Sequence, residues 1–225
     1  MEGRDEVAAR CVALDVDYHL ASGPVPALRA VDATFARGRL TVVTGPSGSG
    51  KSSLLRALAG RQRPSAGVVE VDGLDLTALR ARRRRWVRRR RIGVVLQDPA
   101  DNLVPYLRAH EQIELAARLR GTDPGEAGAL LAAVGLGDQH DRLPAALSGG
   151  EQQRVAFAAG AVGSPSVLLA DEPTAELDGA AGAALVEVMR TLVDRGATLV
   201  VASHDGAVVA AADDVVAIRD GRVVS

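Results

Sequence analysis

The stretch "GPSGSGKSSLL", Gly45 to Leu55, holds the only lysine of the chain; the other 26 of its 27 basic residues are arginine. Its first eight residues, Gly45-Pro46-Ser47-Gly48-Ser49-Gly50-Lys51-Ser52, fit G-x-x-x-x-G-K-[ST]. An apolar run, Leu40 to Thr44, leads into the loop, and helical spacing leads out of it to Gly60. Strand, glycine loop and helix in that order make a cradle for phosphate. The glycines let successive N–H groups point inward, and the helix start adds its positive dipole end. A lysine reaches the phosphates from inside such a loop on a slim stem, where a planar guanidinium would not fit. Gly45 through Lys51, with Ser52 and Ser53, are therefore read as phosphate contacts. Ser52 also offers a hydroxyl to Mg²⁺. This loop names a nucleotide, not a function.

The bulk numbers bound the rest. With 225 residues, 47% hydrophobic and only 2% aromatic, the chain has a sizeable core built mostly of Val, Leu and Ala. One α/β domain over residues 1–225 is expected, its strands alternating with helices in a parallel sheet. From Pro99 to about Ala161 the pattern turns helical and reads as a lobe inserted in that core. A net charge of −1 argues against a protein that coats nucleic acid, and no nucleic-acid partner is expected. The single cysteine, Cys11, excludes an internal disulfide and a cysteine zinc site, and is expected to be a buried strand residue. The opening "MEGRDEVAAR" lacks the apolar region of a secretory signal, and no apolar run is long enough to span a bilayer. A cytoplasmic protein that meets a membrane only through a partner is the expectation.

"VLLADEPT" places Asp171 and Glu172 at the end of an apolar strand. In a parallel sheet that end lies at the same edge as the phosphate loop. Asp171 can then hold Mg²⁺ and Glu172 can polarise an attacking water. Taken alone, two acids after an apolar run are as readily a solvated strand end; the phosphate loop tips the balance.

"LSGGEQQR", Leu147 to Arg154, decides the class. Ser148, Gly149 and Gly150 open a predicted helix and offer a hydroxyl, bare N–H groups and a positive dipole end to an anion. With this motif the chain resembles the ATP-binding-cassette ATPases, the nucleotide-binding subunits of ABC transporters, over nearly its whole length. The resemblance implies an ABC-type α/β ATPase: a P-loop core with a parallel sheet, an antiparallel β edge and the inserted helical lobe. It implies two copies, or a copy and a second ATP-binding subunit, closed head to tail on two ATP·Mg²⁺, with Ser148 to Gly150 capping the γ-phosphate held by the other copy. It also assigns roles to Gln97 at Mg²⁺ or the attacking water, to His204 at the γ-phosphate and to Asp178 between the two sites. Glu176 stands where transport relatives often carry Asn or Ser. Tyr18 corresponds to the aromatic that stacks on adenine, with a half-buried strand tyrosine as the alternative.

Within the family, "GPSGSGKSSLL", "LLADEPTAELD" and "ADDVVAIRDGRVVS" look most like the subgroup of macrolide exporters, lipoprotein-release complexes and the cell-division cassette. The permease would be a separate membrane protein, with the segment after Gln97, notably Leu103 and Tyr106, docking on it. A soluble cassette acting on nucleic acid or ribosomes is the second reading, and a P-loop small-molecule kinase the third. Nine arginines stand between Arg80 and Arg91 around Trp86. They read as a solvated helix face, as a contact for anionic lipid, or, with least support, as a nucleic-acid contact.

Overall fold

Leu40–Thr44 (β3), Val167–Asp171 (β7) and Leu199–Ala202 (β8) are short runs dominated by Val, Leu and Ala, and only the last residues of β3 and β7 are not fully buried. Strands buried on both faces belong in the middle of a parallel sheet. In the computed structural model, which describes residues 6–21 and 23–224, they occupy that place. With Ile92–Val95 (β6), Asp214–Arg219 (β9) and Arg222–Val224 (β10) they form a six-stranded sheet of order β10-β9-β3-β8-β7-β6. Only β10 runs antiparallel, on the outer side of β9. Residues Met1 to Asp5, part of the stretch that argued against an export signal, lie outside the described residues.

Alternate residues of these strands feed two separate cores, as a two-residue side-chain period requires. Val42, Leu168, Leu199 and Val201 point into one, with Lys-free helices Ala109–Arg120 (α3), Ala127–Ala133 (α4), Gly149–Ala161 (α5) and Gly179–Asp194 (α6) contributing to it. Val43, Leu169, Val200 and Ala202 point into the other, against Lys51–Leu58 (α1). The far wall of this second core is an antiparallel sheet of Val7–Leu20 (β1), Gly23–Ala36 (β2), Ala66–Val71 (β4) and Leu74–Asp75 (β5), in the order β2-β1-β4-β5. These four antiparallel strands make a sheet of their own, while β10 is the antiparallel edge of the six-stranded sheet. Phe35, fully buried, fills this layer, and Cys11 is buried on β1 as expected.

Between β6 and β7 the described chain is helical or irregular, carrying α3, α4 and α5. The arginine run is the helix Ala81–Arg91 (α2), in which Val87 alone is fully buried. No helix among the described residues is long and apolar enough to cross a membrane. Tyr106 is 79% exposed, but Leu103 is only 7% exposed and belongs to the first core, so Leu103 is withdrawn as a docking residue.

Candidate nucleotide site

Four neighbouring strands of the parallel sheet deliver the candidate residues to one edge. β3 ends at Thr44 and enters the glycine loop; β8, its neighbour, ends at Ala202, two residues before His204. β7 ends at Asp171, level with Ala202, and β6 ends two residues before Gln97. The carboxyl end of such a sheet is where α/β folds bind ligands.

The loop itself is held by close approach. Gly45 has φ 145° and a Cβ there would lie 2.0 Å from the Ile218 carbonyl oxygen, so no larger residue fits. Lys51 begins α1 and is 8% exposed. Its Nζ donates to the carbonyls of Gly45 at 2.9 Å and Pro46 at 3.3 Å, and stands 3.4 Å from Glu172 Oε1. The ammonium is thus folded back into the loop it serves. Ser49 Oγ is buried there with no hydrogen-bond partner among the described residues.

Ser52 Oγ donates to Asp171 Oδ1 at 3.1 Å. Burial lifts the Asp171 pKa above the usual carboxylate range, Glu172 adds to the rise, and the Ser52 bond, Arg56 and Lys51 oppose it. Glu172 adopts φ 45°, a strained conformation for a residue with a side chain, while its N–H donates to the Ala202 carbonyl at 2.8 Å. Its Oε2 lies 2.9 Å from Nδ1 of the exposed His204. Lys51, Ser52, Asp171, Glu172 and His204 therefore form one connected cluster. Gln97 is exposed and lines an adjoining cavity of about 420 Å³ with Arg56, Asp98, Asp101, Asp171 and Glu176. Tyr18 is half-buried on β1, and its hydroxyl lies 3.2 Å from Ser53 Oγ, which places it beside α1.

The remaining candidates lie elsewhere. Ser148 caps α5: its Oγ donates to Glu151 Oε2 at 2.9 Å, and its N–H donates to the same oxygen at 2.8 Å. Gly150 packs so tightly on α6 that a Cβ would meet the Ala181 Cβ at 2.8 Å. Asp178 caps α6 by accepting from the Ala181 N–H at 2.8 Å. Among the described residues no hydrogen bond or ion pair joins Ser148, Gly149, Gly150 or Asp178 to the glycine loop.

Two supporting residues escape a reading of the sequence. Asn102 accepts from the Leu96 N–H at 2.7 Å and donates to the Leu96 carbonyl at 3.0 Å. Gln153, fully buried on α5, donates to the same carbonyl at 3.1 Å and accepts from Asn102 at 3.3 Å. Together they tie the Gln97 segment to the helix that begins at Gly149. Gln153 lies within the quoted motif, yet a polar residue on a helix gives no sign that it is buried.

The family model described as ABC transporter matches residues 28–175. An uncharacterised ABC transporter ATP-binding protein of Thermotoga maritima is 42% identical over 92% of this chain and 89% of its own length. The lipoprotein-releasing system ATP-binding protein LolD 2 of Caulobacter vibrioides is 38% identical over 92% of each chain. The macrolide export ATP-binding/permease protein MacB of Nitrosomonas europaea is 38% identical over 89% of this chain, which spans only 31% of that protein. A solved ATP-binding cassette, MJ0796, described as a dimeric post-hydrolysis state bound to ADP and Pi, superposes with a TM-score of 0.85 at 30% identity. The match covers 96% of this chain and 97% of the other.

Proposed function

We propose, from the premise that the chain belongs to the ABC transporter family, that it is the ATP-binding and hydrolysing subunit of a transporter whose permease is a separate chain. Residues 1–225 are read as one cassette with a helical lobe at about 99–161. The cluster of Lys51, Ser52, Asp171, Glu172 and His204 at one sheet edge is the observation that carries this reading. The subgroup of the lipoprotein-release and macrolide-export relatives fits export or force transmission. The chain would then work at the cytoplasmic face of the membrane, with Tyr106 on the side of the permease and the α2 arginines toward anionic lipid.

Hydrolysis follows from what each residue can do. The Lys51 ammonium now rests on two carbonyls and a carboxylate; phosphate oxygens of ATP replace those partners and receive its charge. The Ser52 hydroxyl, the Asp171 carboxylate and the Gln97 amide are hard oxygen donors of the kind Mg²⁺ takes, and the unpartnered Ser49 hydroxyl fits a ligand in the same loop. When bound, the metal neutralises charge on the phosphates. Glu172, held by Lys51, His204 and its own backbone bond to Ala202, orients the attacking water and accepts its proton. His204, freed from Glu172, reaches the γ-phosphate. Tyr18 lies against adenine. Ser148, Gly149, Gly150 and Asp178 are supplied to each site by a second copy, or by a second ATP-binding subunit. Their distance from the cluster in bonding terms supports that arrangement, as does the dimeric state of the solved cassette.

Glu172→Gln tests the reading. With ATP and Mg²⁺ the variant should hydrolyse at least about 10²-fold more slowly and elute as an ATP-loaded dimer in size-exclusion chromatography. Hydrolysis at the unaltered rate would remove Glu172 from the reaction.

A further inference from the structure

Five arginines line a cavity of about 570 Å³ between the end of α1, the helix α2 and the end of α3: Arg61, Arg85, Arg88, Arg89 and Arg120. The rest of the lining is apolar, and among the described residues no carboxylate lines it. Among the described residues none of the five makes an ion pair, whereas Arg91, on the same helix, pairs with Asp72 at 2.9 Å. Arg120 is only 8% exposed. Its Nη2 donates to the Gly160 carbonyl at 2.8 Å, and its Nη1 is buried with no hydrogen-bond partner among the described residues. A buried guanidinium left half satisfied is costly, and such groups in native folds call for a counterpart.

We propose that this cavity is a second anion site, separate from the glycine loop, that binds a compact ligand carrying clustered phosphate groups. Each guanidinium offers a planar fork that matches two phosphate oxygens. A single phosphate would engage one or two forks, while several linked phosphates engage the wall formed by Arg85, Arg88 and Arg89 together with Arg61. Burial lowers the pKa of Arg120 to about 10, which leaves it charged at neutral pH. The Arg88 pKa is lowered as well, by burial first and then by Arg61, Arg84 and Arg85, so the arginines repel one another until an anion arrives. The same chemistry is offered by a soluble polyphosphate and by a lipid headgroup with two phosphates.

The test uses the full chain with its glycine loop filled by ADP, titrated calorimetrically with inorganic tripolyphosphate in metal-free buffer. One binding event is expected, weakened by added salt and at least tenfold weaker in Arg85→Gln/Arg89→Gln, with ADP affinity unchanged. Arg82→Gln/Arg83→Gln removes the same charge from α2 outside the cavity and should leave tripolyphosphate binding within twofold. A second arm sediments the chain with phosphatidylcholine vesicles with and without cardiolipin. Sedimentation with cardiolipin that tripolyphosphate reverses assigns the site to a headgroup. Tripolyphosphate binding without sedimentation assigns it to a soluble anion. No tripolyphosphate binding, or equal loss in the two double variants, overturns the site.

Discussion

At position 51 the chain needs a cation that can lie between two loop carbonyls and a carboxylate and later turn to phosphate. Lys51 does the first while 8% exposed, and the flat guanidinium of arginine, with five N–H donors in a fixed fork, has no room to do so. Lys51→Arg should therefore weaken ATP binding by at least about tenfold in equilibrium dialysis, a loss of roughly 1.4 kcal/mol, although charge is conserved. Asp171 carries the opposite tension. Burial makes the folded chain hold its proton more tightly than the unfolded chain does, so ionising it works against folding. The stability it takes away is absent below the ordinary carboxylate pKa, about 3.9, and grows as pH rises through the raised folded value. Asp171→Asn should raise the melting temperature of the nucleotide-free chain at pH 7 by about 2 °C while removing hydrolysis; the gain should vanish in acid. An unchanged melting temperature at both pH values would show that Asp171 carries no burial cost.

Elements meet the site through buried polar side chains. The segment that carries Gln97 leaves β6 with no ladder partner for Leu96, and Asn102 and Gln153 supply the missing bonds from two other elements. Gln153→Leu removes two hydrogen bonds, the second donor to the Leu96 carbonyl and the acceptor for the Asn102 amide, and so unties the Gln97 segment from α5. It should cost about 1–3 kcal/mol in urea unfolding and lower ATP hydrolysis through the loosened Gln97 segment, without changing ATP affinity. Gly150 lets α5 lie against α6 at contact distance, which fixes the orientation of the Ser148 cap relative to the Asp178 cap. Both candidate cross-dimer groups therefore cap helices that pack directly on each other.

At the scale of the whole molecule, the parallel sheet brings Lys51, Asp171, Glu172 and His204 together but leaves Ser148 outside. If Ser148 serves the site of a second copy, Ser148→Arg should abolish the ATP-dependent dimer of the Glu172→Gln chain, seen as a return to monomer elution volume. ATP binding by the monomer should survive. A dimer that persists would place the contact elsewhere.

Much of the fold, and the order of the candidate site residues, was legible along the chain. The glycine loop, the apolar run before Asp171, and the helical texture between residues 99 and 161 are local patterns, set by backbone conformation and by hydrophobic period. Those patterns carry an α/β fold with a phosphate-binding loop; the ABC-type assignment comes only with the resemblance that "LSGGEQQR" carries. What they do not carry is anything that depends on residues meeting across the fold. Four antiparallel strands form a separate sheet by burying one face against α1 and the parallel sheet in the second core, which no single strand reveals. Leu103 reads as an exposed loop residue and is buried in the first core, to which α3 and α5 contribute. Gln153 and Asn102 are polar at every local glance, and only packing shows that they bond around Leu96. The arginine run reads as a helix face in the sequence. Arg61 and Arg120, far from it in the chain, turn one side of that face into a cavity, because burial and charge are properties of the assembled surface and not of any segment.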